Sequence, residues 1–238
     1  MSHLISSIKS IIPSCDVSNV QRLEHIVKQT CDIYGVGGYK IGFELTIQFG
    51  LKSIVDVIRK YTNLPIIYDH QKGGTDIPRM GSKFAGACRA SGVESVILFP
   101  FGGLATEEEW IKSCQDAGLI VIVGGHMTHN NFLQSEEGFI ADDSPKRIYE
   151  AAIKFGVTDF VVPGNRLDLV AQYRKLIESS QIPFVLYAPG FITQGGMIAE
   201  FSKAAGDRWH AIVGASIYEA VDIKDTVREM TKELGRFQ

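Results

Sequence analysis

Eight short runs of apolar and β-branched residues recur along the chain, at 11–16, 36–41, 65–69, 93–99, 119–124, 157–163, 182–188 and 209–214, each followed by a stretch of helical periodicity. The runs are nearly continuous in apolar residues instead of alternating, the pattern of parallel strands covered on both faces. The intervening stretches are amphipathic. Across 18–30, Val20, Leu23, Ile26 and Val27 fall on one face, with Arg22, Glu24 and Lys28 on the other, and 144–155 and 167–179 repeat the pattern. Eight such strand–helix units predict a closed (β/α)8 barrel of the α/β class. No Pro/Ser-rich linker or low-complexity tract interrupts the chain, and its 238 residues approach the ~250 typical of that barrel, so 1–238 is expected to form a single domain. An open doubly wound sheet would place a Gly-x-Gly-x-x-Gly turn after the first strand; Cys15-Asp16-Val17-Ser18-Asn19 is not one.

Composition narrows the chemistry. A hydrophobic content of 45% suffices for a large core, and a net charge of −3 supplies no basic field for a nucleic-acid backbone. A small-molecule ligand is the expectation. Cys15, Cys31, Cys88 and Cys114 are scattered without a Cys-x-x-Cys pair, which argues against zinc and against a disulfide framework and for reduced thiols. The N-terminal residues lack a signal-peptide apolar segment, and no apolar stretch reaches the ~20 residues of a membrane span. The expectation is a cytoplasmic protein that does not associate with membranes.

Barrels of this kind carry their active sites at the C-terminal ends of the strands. There the chain offers Asp16, Lys40, Asp69 with Lys72, His126 with Thr128, Pro163-Gly164-Asn165-Arg166, Pro189-Gly190, and Gly214-Ala215. Asp16, Lys40, Asp69 and Lys72 all fall at the ends of the first three strands. In isolation, an Asp-Lys-Asp set reads as a helix cap with a surface ion pair; clustered at strand ends, acids and bases must pair to offset desolvation. The glycine-bearing loops after strands seven and eight, 188–196 and 212–217, are suited to holding a phosphate through backbone N–H groups.

Taken together these residues resemble the orotidine 5'-monophosphate decarboxylase family, over most of the chain. The family pattern is an Asp closing strand one, a Lys closing strand two, Asp-x-Lys-x-x-Asp-Ile/Val after strand three, a Met-Ser-His segment after strand five, and late Pro-Gly…Gln-Gly-Gly and Val-Gly-Arg-Ser-Ile loops. The similar positions here are Asp16, Lys40, Asp69/Lys72/Asp76-Ile77-Pro78, Met127-Thr128-His129, Pro189-Gly190 with Gln194-Gly195-Gly196, and Val213-Gly214-Ala215-Ser216-Ile217. Two departures stand out. The catalytic segment is Asp-x-x-Lys-x-x-x-Asp, one residue longer in each gap, so Lys72 joins Asp69 only if His70-Gln71 bulges or the strand ends early. Ala215 stands where the family has the arginine that forks onto the substrate phosphate, a loss of about 1.5–3 kcal/mol of binding unless another cation substitutes. Arg166 and Arg208 are the candidates for that substitution.

The resemblance implies loss of CO2 from C6 of orotidine 5'-monophosphate, without metal or organic cofactor. It assigns catalysis to Lys72 as proton donor with Asp69, Asp76 and Lys40, and substrate binding to Asp16, Ile77, Thr128, Pro189, Gln194, Gly214 and Ala215. It also implies a homodimer in which Asp76 reaches the neighbouring subunit's site. Competing readings are a sugar-phosphate decarboxylase or aldolase of the same barrel superfamily, which generally uses a metal, and a catalytically silent barrel that binds a nucleotide.

The remaining features read as structural. His126 and His129 are three apart without a local carboxylate, so a metal is not expected. Trp110 and Trp209 are expected in packing. Glu107-Glu108-Glu109 is expected to open a helix after Thr106, where negative charge suits the helix dipole.

Overall fold

The computed structural model describes residues 3–70, 73–190 and 195–235. In chain order it contains β1 (Lys9–Pro13), α1 (Val20–Thr30), β2 (Tyr39–Ile41), α2 (Phe43–Phe49), α3 (Leu51–Arg59), β3 (Ile66–Asp69), α4 (Gly81–Ser91), β4 (Ser95–Leu98), α5 (Leu104–Asp116) and β5 (Ile120–Gly124). These are followed by α6 (Ser144–Lys154), β6 (Asp159–Val161), α7 (Leu167–Glu178), β7 (Val185–Ala188), α8 (Gly195–Ala205), β8 (Trp209–Val213), α9 (Ala215–Tyr218) and α10 (Ile223–Gly235). All strand pairs are parallel, in the order β1-β8-β7-β6-β5-β4-β3-β2. Single bridges at Ile11–Val36 and Ser14–Lys40 join β1 to β2 and bring the ends of the sheet together. The result is the eight-stranded barrel that the sequence pattern predicts.

Each strand sorts its side chains with period two. Ile11, Ile66, Val96, Val121, Phe160, Leu186 and Ala211 pack outward against the helices. Their neighbours Ile12, Ile67, Ile97, Ile122, Val161, Tyr187 and Ile212 fill the barrel interior. Both sets are apolar, which explains why the sequence runs look continuous. Trp110 and Trp209 belong to the outer layer and are buried, as expected.

Further down the barrel, toward the N-terminal ends of the strands, the same parity points polar groups inward. Ser10 Oγ lies 2.8 Å from His210 Nδ1, and Tyr187 donates to Asp159 Oδ1 at 3.0 Å. Burial, with Arg208 second, pushes the His210 imidazole down to about 3, so this histidine is neutral at neutral pH. Burial likewise raises Asp159, partly offset by the hydrogen bonds from Thr158 and Tyr187.

The helices begin where side chains or backbone turns cap them. Asn19 accepts from the N–H of Arg22 at 2.9 Å and starts α1 two residues later than the periodicity alone places it. The acidic run departs further from expectation. α5 starts at Leu104 behind Gly103, so Thr106 lies inside the helix, where its hydroxyl donates to Asp76 O at 3.0 Å. Glu107 is consequently turned inward: it is buried, its Oε1 has no hydrogen-bond partner, and desolvation pushes its carboxyl up to about 8. No helix among the described residues is long and apolar enough to cross a membrane.

Candidate active site

The inward parity that fills the barrel with Ile12, Ile67, Ile97 and Ile212 continues past the strand ends and there turns polar. Two residues beyond Ile12 is Ser14 and four beyond is Asp16; two beyond Ile67 is Asp69; two beyond Ile212 is Gly214. With Lys40, the inward residue of β2, these line a cavity of about 340 Å3 whose other walls include Phe99, His126, Met127, Thr128, Pro189 and Gly190.

Lys40 sits at its centre. Its Nζ donates to Asp69 Oδ2 at 2.9 Å and lies 3.4 Å from Asp16 Oδ1, while Ser14 Oγ donates to the other Asp16 oxygen at 2.6 Å. The Lys40 and Asp69 side chains are each only 10% exposed, against 43% for Asp16. Burial alone would lower the lysine, but the Coulombic attraction of Asp69 and then Asp16 outweighs it and holds Lys40 above its ordinary value. The ammonium therefore stays charged across the physiological range. Gly42 makes room for this group: a Cβ there would stand 2.5 Å from Asp16 Oδ1. Gly124 does the same on the opposite wall, where a Cβ would meet the Phe99 ring at 2.3 Å.

His126 is buried beneath the rim, with Nδ1 2.7 Å from the Tyr173 hydroxyl. Burial and the nearby Arg166 lower its pKa, and burial raises Tyr173 to about 12. Both are neutral at neutral pH, so the pair is an uncharged hydrogen bond at the cavity wall. His129 packs edge-on against Phe132. Among the described residues no group of three or more His, Cys, Asp and Glu is placed to hold a metal ion. All four cysteines are free thiols.

Of the residues expected from the sequence, Asp16, Lys40, Asp69, Thr128, Pro189 and Gly214 line this one cavity. Ala215 is the first residue of α9, directly after Gly214. Asp76 and Ile77 do not line it: both are exposed, and Asp76 borders a separate cleft with His70, Lys83 and Trp110. The Asp76 carboxylate accepts from the N–H of Ile77 at 2.7 Å, and the Ile77 carbonyl accepts from Trp110 Nε1. Lys72 and Gln194 lie outside the described residues. β3 ends at Asp69, where the sequence pattern ends it, and Gly73 follows with its carbonyl accepting from Phe99 N at 2.9 Å.

Of the two candidate substitutes for the family arginine, Arg208 is ruled out by position. It precedes β8, at the opposite end of the barrel, and its guanidinium donates to the carbonyls of Ile5 and Ser7. Arg166 does follow β6 at the correct end, where it pairs with Glu136 at 3.4 Å and Asp168 at 3.8 Å. The sequence reading did not single out Ser14 or Phe99; counting inward parity past the strand ends would have found both.

Comparisons with known proteins give the chain a family. Residues 9–230 match the model of the orotidine 5'-phosphate decarboxylase / HUMPS family. This chain belongs to that family. Among its curated relatives, the orotidine 5'-phosphate decarboxylase of Pyrococcus abyssi is 30% identical over 229 residues, covering 94% of this chain and 98% of the relative. That of Thermoplasma acidophilum is 26% identical over 161 residues, 68% of each chain. The fold is similar to that of orotidine 5'-monophosphate decarboxylase from Methanocaldococcus jannaschii complexed with the inhibitor BMP, with a TM-score of 0.81 and 22% identity over 96% of this chain and 99% of that one. The family match thus runs from β1 into α10 and includes every residue of the cavity.

Proposed function

We propose that this chain, a carboxy-lyase of the orotidine 5'-phosphate decarboxylase family, converts orotidine 5'-monophosphate to uridine 5'-monophosphate in pyrimidine synthesis, in the cytoplasm and without metal or organic cofactor. The observation that carries the reading is the buried Lys40–Asp69 pair, with the more exposed Asp16 beside it, at the C-terminal mouth of the barrel, in a chain matched by the family over 9–230. Its shape and charge suit a nucleotide whose reacting carboxylate is to be expelled.

In this reading the bond between C6 and the carboxylate breaks, CO2 leaves, and the electron pair stays on C6. Asp69 crowds the departing carboxylate. The Lys72 ammonium stabilises the developing charge and passes a proton to C6, then regains one from solvent. The family resemblance sets it between the carboxylates of Asp69 and an Asp76, and opposite charge at that distance favours the ammonium form at neutral pH. Lys40 holds Asp69 in place, the kind of preorganised electrostatics that supplies most of a barrier reduction. Asp16 binds a ribose hydroxyl, and Thr128 contacts the pyrimidine.

The phosphate falls to Gln194, Gly214 and Ala215, beside Pro189. Binding energy gathered there, far from C6, is available to the chemical step.

We further propose a homodimer of single-domain chains, with Asp76 and Ile77 serving the partner's site. Their exposure outside the cavity of their own chain supports this, as do the exposed apolar side chains of Phe43 (53%), Ile47 (75%), Ile77 (47%) and Leu104 (61%) on segments that follow β2, β3 and β4.

A spectrophotometric assay with orotidine 5'-monophosphate, with and without a metal chelator, tests the proposal. Turnover to uridine 5'-monophosphate at the same rate in both is expected. No turnover of the nucleotide refutes it, and activity abolished by chelator refutes its cofactor-free form, moving the reading toward metal-dependent sugar-phosphate chemistry.

A further inference from the structure

We propose that Ser14 is a positioning residue of this site: its hydroxyl fixes the Asp16 carboxylate in the orientation that receives a ribose hydroxyl of the substrate. The inference rests on the nucleotide reading given above.

Ser14 and Asp16 are two apart at the end of β1 and face the same cavity. The two oxygens of Asp16 have different partners. Oδ2 accepts the Ser14 hydroxyl at 2.6 Å, a short, charge-assisted bond, while Oδ1 is 3.4 Å from Lys40 Nζ. Lys40 lies closer to Asp69, at 2.9 Å, so it holds Asp16 only loosely. Asp16 is also the exposed member of the group, and an exposed carboxylate with one loose partner turns freely about its last torsion. The serine removes that freedom.

Ser14 is itself well fixed. It is buried, its N–H donates to Val213 O at 2.8 Å, and it forms the bridge to Lys40 that joins β1 to β2. The next residue continues the link, with Cys15 N–H donating to Lys40 O at 2.8 Å. A hydroxyl anchored on three strands therefore sets the plane of a carboxylate that would otherwise reorient on binding. Such preorganisation appears as affinity because the ordering cost is met before the ligand arrives. The absence of a Cβ at Gly42 leaves the Lys40 side of the carboxylate unobstructed.

A merely structural role would change stability without distinguishing ligands by their sugar hydroxyls. Calorimetric titration of wild type, Ser14→Ala, Ser14→Cys and Ser14→Thr with uridine 5'-monophosphate and with its 2',3'-dideoxy analogue separates the two. Ser14→Ala should weaken uridine 5'-monophosphate about tenfold or more, the loss of one hydrogen bond to a charged group, and leave the dideoxy analogue within about twofold. Ser14→Cys, which keeps the bulk but donates poorly, should follow alanine, and Ser14→Thr should restore affinity to within about threefold. KM for orotidine 5'-monophosphate should rise with the dissociation constant, more than kcat falls. Unchanged affinity in Ser14→Ala, or equal weakening of both nucleotides, overturns the proposal. A wild-type protein that neither binds nor turns over uridine nucleotides overturns the functional reading beneath it.

Discussion

Nζ of Lys40 lies 2.9 Å from Oδ2 of Asp69, and both side chains are only 10% exposed. An ammonium from β2 is thus locked against a carboxylate from β3 inside the barrel mouth, with Asp16 of the β1 end beside it. Such a pair is costly to break, because removing one member leaves the other charged and buried.

Lys40→Met should therefore lower both activity and stability. Turnover of orotidine 5'-monophosphate should fall by at least about 1,000-fold, and stability by about 3–5 kcal/mol. Lys40→Met/Asp69→Asn should regain part of the stability but none of the activity. Denaturant unfolding alongside kinetics checks this; a Lys40→Met protein with wild-type stability would show that the pair is not a buried charge constraint.

Lys72→Ala should abolish turnover while uridine 5'-monophosphate binds within about tenfold of wild type, a change of ~1.4 kcal/mol. Near-normal turnover would remove Lys72 as the proton donor.

Ala215 offers no side-chain donor at the start of α9, and Arg208 is at the far end of the barrel. Ala215→Arg should tighten uridine 5'-monophosphate by about 10-fold or more, from the added charge-assisted fork. No gain in titration would mean that another cation, with Arg166 placed at the correct end, already serves the phosphate.

If Asp76 serves the neighbouring subunit, mixing inactive Lys72→Ala and Asp76→Asn proteins after dissociation creates heterodimers with one intact and one doubly damaged site. About half the dimers form this way with half their sites intact, so activity should return to roughly a quarter of wild type. No recovery would place Asp76 in its own chain's site.

Glu107 carries a pH signature. Its carboxyl is pushed from 4.5 to about 8 by burial, so the folded state holds a proton that the unfolded state releases between those values. The favourable contribution is complete below about 4.5 and is lost as pH rises toward 8. Glu107→Gln should therefore melt higher relative to wild type at pH 8.5 than at pH 5, by at least about 4 °C. A difference independent of pH would show that Glu107 is ionised in the fold.

The sequence by itself determined the architecture. Continuous apolar runs separated by amphipathic stretches recur eight times, and that local periodicity specifies strands covered on both faces and the helices that cover them. Because side-chain direction alternates within each strand, it also placed Asp16, Lys40 and Asp69 at strand ends, where the closed ring brings them to one cavity. Only the tertiary structure decided the rest, because it depends on register and packing between distant segments. The bridge between Ser14 and Lys40 sets the heights at which β1 and β2 meet, and so brings Lys40 Nζ within reach of Asp16. Arg166 and Arg208 look alike as candidates in sequence, yet they fall at opposite ends of the barrel because one follows a strand and the other precedes one. Glu107 reads as a surface acid in an acidic run, but α5 starts behind Gly103 and the helical turn points that carboxyl inward. Asp76, two residues before the Pro78 turn, leaves the cavity of its own chain because the segment from Gly73 folds back on β4 and is tied to α5 through Thr106 and Trp110.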